Sequence, residues 1–230
     1  MDPYIIGFGH RARSGKDTAA ATIIEHRGTD SLGLDIRRYS FADELKREVT
    51  QAALSAGGMR ELFGTWEFVQ ENGNFIEFPE WVRESYEENP DMSDPLCPFG
   101  KQRGLLQFWG TELRRSVNPN YWVDKLSKNI VKDKPDVALI ADVRFPNEML
   151  FVTDCKGDTV RIDRSVLPKL SNTSHPSETA LAGIPDEYWS RVLTNDGTLE
   201  EFQAKVLEMF DTFMDFRVPA SADATGFPYP

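Results

Sequence analysis

The stretch YIIGFGHRARSGKDT, residues 4–18, combines the local signals of a strand, a turn and a helix. An apolar run comes first, a glycine-rich turn follows it, and Lys16 then opens a segment with the apolar spacing of a helix. This order of strand, turn and helix is typical of a phosphate-binding loop, in which backbone N–H groups and the positive end of a helix surround an anion. Lys16 adds a full positive charge where the β- and γ-phosphates of a nucleotide would lie. The stretch therefore indicates a nucleoside triphosphate as ligand.

The stretch departs from the general pattern G-x-x-x-x-G-K-[ST] at two positions. Counting back from Gly15, the first glycine should be residue 10, which is His10, and Gly9 stands one place early. The hydroxyl expected directly after the lysine is replaced by Asp17, with Thr18 one residue later. The hydroxyl that faces magnesium is thus either Thr18 in a shifted geometry, or the metal is held elsewhere.

Two other interpretations of the stretch stay open. The first is a glycine turn followed by an incidental Gly-Lys pair. The second is the dinucleotide-binding fingerprint, in the form Gly7-x-Gly9-x-x-Ala12 with Asp30 and Asp35 as acceptors for a ribose hydroxyl. A lysine has no assigned role in that fingerprint, which favours the triphosphate interpretation.

Composition and charge bound the class of protein. The 230 residues, 40% hydrophobic and 27% charged, predict a soluble globular chain with one sizeable core. A net charge of −11 argues against a nucleic-acid polymer as partner, because such a surface needs a basic patch. No apolar run approaches the roughly 20 residues of a membrane span. Cys97 and Cys155 lack metal-ligand spacing, and a single disulfide is possible but unneeded at this size. We therefore expect a cytoplasmic protein with no membrane partner.

Strand and helix patterns alternate along the chain, which predicts an α/β fold with a mostly parallel sheet. Predicted strands cover residues 4–6, 35–41, 137–141, 159–163 and 191–193. Predicted helices cover 16–26, 43–56 with Asp43 as cap, 101–117, 120–131 and a last one that begins at the capping box Thr198–Glu201.

The chain is expected to form a single domain over residues 1–217. Within it, residues 57–103 are interpreted as an insertion on the substrate side and residues 164–178 as a candidate lid. Residues 218–230, rich in Pro, Ala and Gly, are predicted to form a disordered tail. The insertion is rich in aromatic residues, which suit a homodimer contact as well as a cover over substrate: Phe63, Trp66, Phe68, Phe75, Phe78 and Trp81.

Four later segments complete a resemblance to one family. They are SFADELK (40–46), LQFWGTELR (106–114), ADVRFPNE (141–148) and HPSE (175–178). With the phosphate loop, and in this order, they resemble the deoxynucleoside monophosphate kinases of phages, a branch of the P-loop kinases, from residue 4 to about residue 210. The resemblance implies a P-loop kinase fold, ATP with Mg²⁺ as phosphate donor and a deoxynucleoside monophosphate as acceptor. For a phage-encoded chain it implies the host cytoplasm.

Phosphoryl transfer between two polyanions needs cationic side chains and alignment rather than a covalent nucleophile. From this chemistry and the resemblance, the expected catalytic residues are Lys16, Arg114, Arg144 and Arg164. The expected ATP contacts are Arg13, Ser14, Gly15, Lys16, Asp17, Thr18, Arg161, Asn195 and Gly197. The expected acceptor contacts are Ser40, Lys46, Gln107, Thr111, Arg114, Arg144, Glu148, His175 and Ser177. The expected metal ligands are Asp17, Thr18 and Asp142.

One helix carries several of these residues on a single stripe. Gln107, Thr111, Arg114 and Arg115 fall at positions i, i+4, i+7 and i+8. The stripe suits a base edge read by the amide and a phosphate clamped by an arginine. A solvated helix face has the same spacing, and it is the resemblance that favours a functional role for Gln107 and Arg114.

Structural alternatives exist for other positions as well. Asp142 and Arg144 suit an ion pair that closes a turn, and Asp43 suits a helix cap as well as a ligand. His175 suits the start of a helix whose first residue is Pro176. The segment 195–197 suits a plain turn as well as an adenine-binding loop.

The leading hypothesis is thus ATP-dependent phosphorylation of deoxynucleoside monophosphates to diphosphates. A P-loop kinase for another small acceptor, such as a coenzyme A precursor or a phosphorylated metabolite, is the nearest alternative. A non-catalytic nucleotide-binding module and a Rossmann-type oxidoreductase are the others. The sequence leaves the preferred base open.

Overall fold

The structure, a computed structural model, describes residues 2–28, 33–65, 67–69, 75–166 and 175–217. In chain order its elements are β1 (Tyr4–Gly9), α1 (Lys16–Arg27), β2 (Ile36–Tyr39), α2 (Phe41–Ala56), α3 (Met59–Thr65), β3 (Glu67–Val69), β4 (Phe75–Glu77), α4 (Glu80–Glu84), α5 (Arg103–Phe108) with a π-helical continuation (Trp109–Arg115), α6 (Tyr121–Asp133), β5 (Val137–Val143), α7 (Pro146–Asp154), β6 (Asp158–Asp163), α8 (Pro176–Thr179), a 3₁₀ turn (Asp186–Tyr188), β7 (Arg191–Thr194) and α9 (Leu199–Arg217).

The centre of the fold is a five-stranded parallel sheet in the order β2-β5-β1-β6-β7. Both faces are covered, so β1 and most of β5 are buried along their length. Ile6 and Phe8 pack with α1 and α9 on one face, whereas Ile5 and Ile140 pack with α2, α5 and α6 on the other. The predicted α/β fold with a mostly parallel sheet is confirmed, and the carboxyl ends of the strands meet at one edge, where such sheets bind ligands.

The start of α2 differs from the sequence prediction. The helix begins at Phe41 rather than at Asp43, and Asp43 lies in its first turn, 3.2 Å from the Lys46 ammonium. The cap comes from the end of β5, where the Asp142 carboxylate accepts hydrogen bonds from the N–H groups of Phe41 (2.8 Å) and Ala42 (2.9 Å). A carboxylate there also meets the positive end of the helix. The prediction that Asp43 caps this helix was therefore wrong.

The predicted helix 101–117 is divided into an α-helical and a π-helical part. In the second part the N–H of Ser116 donates to the carbonyl of Thr111, five residues back. A π-helix turns less per residue than an α-helix. The stripe drawn with α-helical spacing is therefore distorted, and Arg114 turns away from the side that carries Gln107.

A carboxylate on α2 holds this π-helical segment in place. Glu48 accepts hydrogen bonds from Trp109 Nε1 (3.1 Å) and Arg114 Nε (3.0 Å) in the segment. It also accepts from the Tyr121 hydroxyl and the Lys125 ammonium on α6. Burial opposes the charge of Glu48, yet the hydrogen bonds from Lys125, Tyr121 and Trp109 hold its pKa below the usual range. One charged group thus joins three helices.

The C-terminal helix begins as predicted. Thr198 N–H donates to the Glu201 carboxylate (2.9 Å) and Glu201 N–H donates to the Thr198 hydroxyl (3.2 Å), which confirms the capping box. The proposed tail and most of the candidate lid, residues 167–174, lie outside the described residues, as does Trp66. Phe63 and Phe78 are buried in the core. The domain limits and the homodimer contact stay predictions.

In the described part of the chain, the helices are all too short or too polar to cross a membrane.

Replacing Glu48 by glutamine should destabilise the protein, because the amide leaves the Lys125 and Arg114 charges without their shared partner. We expect a loss of about 1–3 kcal/mol in the free energy of unfolding and a melting temperature lower by several degrees. Differential scanning calorimetry measures both. The matched control is Glu25→Gln on the exposed side of α1, which should change stability by less than about 0.5 kcal/mol. Equal effects of the two substitutions would contradict the role given to Glu48.

Candidate active site

The loop between β1 and α1 has the backbone of an anion cradle. His10, Arg13 and Gly15 have positive φ angles of 92°, 61° and 115°. A Cβ atom on Gly15 would lie 2.5 Å from the Asn195 side-chain nitrogen, and one on Gly9 would lie 2.5 Å from the Trp189 ring. The glycines therefore stand where another element approaches the backbone closely.

Lys16 projects from the first turn of α1 back across this loop. Its ammonium donates hydrogen bonds to the main-chain carbonyls of His10 (3.2 Å) and Arg11, and only 5% of the residue is exposed. Burial, helped by the nearby Arg144 charge, lowers the pKa of Lys16 to about 8. A phosphate placed in the loop would add negative charge next to this lysine and so favour its charged form.

A first cavity, of about 300 Å³, opens on the α9 side of the loop, and we call it the donor cavity. It brings together most of the residues expected to contact ATP, together with Arg164. The Asn195 amide donates to the Ser14 carbonyl (2.8 Å) and so fixes the far wall to the loop. The lining residues are Arg13, Gly15, Lys16, Asp17, Thr18, Arg164, Asn195, Gly197, Leu199 and Phe202.

Two of the expected ATP contacts do not line the donor cavity. Ser14 and Arg161 face a separate hollow beside His10, and Arg161 is paired there with Asp163 (3.0 Å) and Asp186 (2.7 Å). The structure therefore places Arg161 apart from the seven expected ATP contacts that line the donor cavity.

A second cavity, of about 190 Å³, lies between the sheet edge and the α5–π-helix segment, and we call it the acceptor cavity. It shares Asp17 with the donor cavity, so the two meet beside Lys16. Seven residues predicted for the acceptor line it: Ser40, Lys46, Gln107, Thr111, Arg144, Glu148 and Ser177. Residues that the sequence reasoning missed also line it, among them Arg38, Lys101, Arg103 and Glu178; Arg115, on the predicted stripe but not among the selected residues, does so too.

Arg115, rather than Arg114, reaches the acceptor cavity. Its guanidinium lies over the Phe145 ring, 4.1 Å from the centroid, and pairs with the buried Glu148. Arg114 is instead held by Glu48 on the far side of the π-helical turn. Arg114 was expected to contact the acceptor, but it does not reach the acceptor cavity. The π-helical turn shifts it out of the stripe that α-helical spacing predicts.

Glu148 organises the wall of the cavity from within. Its carboxylate accepts hydrogen bonds from the N–H groups of Arg144 (2.6 Å) and Phe145 (3.0 Å) and so caps α7. Burial raises the pKa of Glu148, and the Arg115 charge acts in the opposite direction. The geometry thus makes Glu148 a support for Arg115 and Arg144 at the cavity wall.

The HPSE segment supplies a carboxylate to the arginines. One oxygen of Glu178 accepts hydrogen bonds from both Arg103 (2.7 Å) and Arg144 (2.8 Å). His175 does not line the cavity: it caps α8, accepts from the Ser177 N–H (3.2 Å) and lies 3.1 Å from Glu112. The alternative that His175 starts a helix is therefore confirmed. Arg144 pairs with Glu178, so the suggested Asp142–Arg144 ion pair is not formed.

Oxygen groups suited to magnesium lie where the two cavities meet. Asp17 carries an exposed carboxylate that pairs with Arg38 (2.8 Å), and the half-buried Thr18 follows it on α1. Asp142 is already engaged by the α2 N–H groups and by the Ser40 hydroxyl (2.7 Å). Among the described residues no group of three or more acidic, His or Cys side chains forms a metal cage. This donor set fits Mg²⁺ that is held largely by substrate phosphates.

Three cationic residues of the acceptor cavity that were not predicted have a weak signal in the sequence. Arg38 stands at the carboxyl end of β2, and Lys101 and Arg103 stand just before the predicted stripe. Their place at a strand end or helix start puts them at the ligand edge of a parallel sheet. The stripe begins at Gln107 and therefore does not include Lys101 or Arg103.

The chain matches known proteins over most of its length. A family described as deoxynucleotide monophosphate kinase matches residues 101–206. A deoxynucleoside-5'-monophosphate kinase of Escherichia phage T5 is 30% identical over 228 residues, with 83% of this chain and 89% of that protein covered. A protein of Acanthamoeba polyphaga mimivirus, assigned as a deoxynucleotide monophosphate kinase, is 29% identical over 220 residues, with 90% and 96% covered.

Among solved structures, the chain is similar to the dephospho-CoA kinase of Campylobacter jejuni, with a TM-score of 0.44, 11% identity and coverage of 95% of this chain and 100% of that one. It is also similar to the shikimate kinase of Acinetobacter baumannii, with a TM-score of 0.43, 12% identity and coverage of 92% and 94%.

The lowered pKa of Lys16 predicts proton uptake when a nucleotide binds. With a pKa of about 8 in the free protein, about half of the Lys16 side chains are neutral at pH 8. A bound triphosphate favours the charged form and raises this pKa, so on ATP binding Lys16 should take up about half a proton at pH 8 and almost none at pH 6. Isothermal titration calorimetry in buffers of different ionisation enthalpy measures this quantity.

Lys16→Arg is the matched control, because arginine stays charged at both pH values. It should bind ATP without the uptake. Wild-type protein that binds ATP at pH 8 with no proton uptake would contradict the assignment of the lowered pKa to Lys16.

Proposed function

Because the chain belongs to the deoxynucleotide monophosphate kinase family, we propose that it transfers the γ-phosphoryl group of ATP to a deoxynucleoside monophosphate and releases ADP and the diphosphate. One observation carries this proposal: two cavities lined by cations meet at Asp17, directly beside the buried Lys16. A donor and an acceptor phosphate bound in them would meet end to end.

The donor cavity suits ATP. Its phosphates would occupy the left-handed turn between His10 and Gly15, with Lys16 on the β- and γ-phosphates and Arg164 above them. The Asn195–Gly197 turn and the Phe202 ring form the end that would receive the adenine. Mg²⁺ would be held by Thr18 and Asp17, and through water by Asp142; when bound, it neutralises charge on the transferring group.

The acceptor cavity suits a nucleoside monophosphate, because its lining combines apolar, amide and cationic groups. Leu45, Leu106 and Trp122 provide apolar lining and Gln107 an amide, which suits a base with one polar edge. The guanidinium groups of Arg103, Arg115 and Arg144 also line the cavity. Arginine binds phosphate through paired donors, so these groups suit the acceptor phosphate.

Transfer requires no protein base. The second pKa of a phosphate monoester is about 6, so the attacking oxygen is already deprotonated at neutral pH. What the chain supplies is charge and alignment: Lys16 from the donor side, Arg144 from the acceptor side and Asp17 between them. In this scheme the phosphate replaces the Glu178 oxygen as the partner of Arg103 and Arg144.

The alternative of a kinase for another small acceptor is weaker. An apolar pocket beside a single amide favours a flat heteroaromatic base over a sugar or a short carboxylic acid. A non-catalytic module would need far fewer cations than line the second cavity. Deoxyribose in preference to ribose follows from the family alone.

The direct test is ADP release from ATP and Mg²⁺ against a panel of ribo- and deoxynucleoside monophosphates. We expect turnover with one or more deoxynucleotides and its loss in Lys16→Ala. The amount of ADP released should equal the amount of deoxynucleoside diphosphate formed. Bound ATP without turnover across the panel would support another acceptor or a binding module. NADH binding without ATP binding would revive the dinucleotide interpretation.

The neighbouring pair Arg114 and Arg115 tests the acceptor site at the level of one side chain. Arg115→Lys keeps a charge for Glu148 but loses the paired donors, so we expect the KM for the deoxynucleotide to rise about tenfold. Arg114→Lys, on the far side of the helix, should change that KM by less than about twofold while it lowers the melting temperature slightly. Steady-state kinetics with ATP in excess measures both. The reverse pattern would restore the sequence-based assignment to Arg114.

A further inference from the structure

We propose that His10 is a positioning residue for the phosphate loop: its imidazole, held by Asp163, fixes the loop in the conformation that receives the triphosphate. The inference rests on the proposed function only in that ATP is taken as the ligand of the loop. Its evidence is a set of contacts around the loop.

The backbone of His10 needs an explanation. Its φ angle of 92° is one that glycine adopts freely and other residues rarely adopt. Residue 10 is also where the general loop pattern has its first glycine. A histidine in such a conformation persists only when its surroundings fix it, and such residues cluster at ligand sites.

The side chain of His10 supplies that restraint. Its Nδ1 atom lies 3.0 Å from a carboxylate oxygen of Asp163, the last residue of β6, and the imidazole is only 18% exposed. The other Asp163 oxygen accepts hydrogen bonds from Arg161 Nε (3.1 Å) and Nη2 (3.0 Å). Asp163 is therefore itself held, and Arg161 acts as its support. This gives Arg161 a role away from the donor cavity.

A second contact holds the other side of the loop to the same residue. The main-chain carbonyl of Asp163 accepts a hydrogen bond from Asn195 N–H (2.8 Å), and the Asn195 side chain donates to the Ser14 carbonyl (2.8 Å). His10, Asp163, Asn195 and Ser14 thus form a closed chain of contacts, which we call the loop clasp. It ties both sides of the turn to the ends of β6 and β7.

The clasp also reaches the central cation. The His10 carbonyl is one of the two acceptors of the Lys16 ammonium (3.2 Å). If residue 10 left its positive-φ conformation, this carbonyl would turn and Lys16 would lose one of the groups that direct it across the loop. The side chain of His10 therefore acts on Lys16 through the backbone and touches no reacting atom.

The proposed state of His10 is the neutral one. Burial lowers its pKa, Asp163 acts in the opposite direction, and the charges of Arg11, Arg161 and Lys16 lower it further. A neutral imidazole adds no charge to the loop.

Three substitutions separate the restraint from the backbone conformation. Glycine at position 10 permits the angle but removes the anchor; asparagine permits the angle and offers a short polar group to Asp163. If the free loop in His10→Gly adopts the competent conformation about a tenth of the time, the Kd for ATP should rise about tenfold. His10→Asn should recover most of that loss. His10→Ala, with neither property, should bind worst.

The experiment is calorimetric titration of the whole protein with ATP and with inorganic tripolyphosphate, alongside melting temperatures for each variant. A double-mutant cycle with Asp163→Ala completes it, because two residues that act through one contact lose less together than the sum of their separate losses. If the variants lose the same factor in affinity for ATP and for tripolyphosphate, His10 acts on binding of the phosphates and not of the adenosine.

The inference is overturned if His10→Gly binds ATP as tightly as the wild type, or if its effect adds in full to that of Asp163→Ala. Binding rather than turnover is measured, so a chain that binds ATP but phosphorylates nothing still tests the role of His10. Wild-type protein that binds neither ATP nor tripolyphosphate would overturn this inference and the proposed function together.

Discussion

The buried ammonium of Lys16 is the constraint on which the site depends. A lysine charge removed from water is unfavourable unless other groups compensate it, and here two main-chain carbonyls of the preceding loop provide partial compensation. The loop must therefore hold a left-handed course that points these carbonyls inward. A polyphosphate completes the compensation. The fold around Lys16 is built to keep this cation at the sheet edge, where two cavities meet.

Buried or half-buried glutamates hold the cationic residues in and next to the acceptor cavity. Glu48 holds the π-helical turn, Glu148 caps α7 and pairs with Arg115, and Glu178 joins Arg103 to Arg144. Each carboxylate connects elements that are far apart in sequence. An acidic chain with a net charge of −11 can therefore carry a strongly cationic site. Removing one partner of such a pair is costly, so these glutamates fix geometry as much as charge.

The order of strand, turn and lysine predicted the loop and the parallel sheet, because those signals are local. The Thr198 capping box is local as well, and the structure has it as predicted. The start of α2 could not be predicted in this way, since its cap is Asp142, about a hundred residues further on. Arg115 rather than Arg114 reaches the acceptor cavity, because Arg114 is held by Glu48. Glu48 lies on α2, so the sequence of the π-helical segment alone does not reveal this. Long-range carboxylates thus account for the differences.

The measurement that tests the account most directly is the binding of an adenosine and a deoxynucleoside joined by a pentaphosphate chain. If the two cavities meet at Lys16 and Asp17, one molecule fills both, and linking makes it bind far more tightly than ATP. We expect it to compete with ATP and with the deoxynucleoside monophosphate alike. An analogue that competes with ATP alone, and binds no more tightly than ATP, would show that the two cavities do not meet.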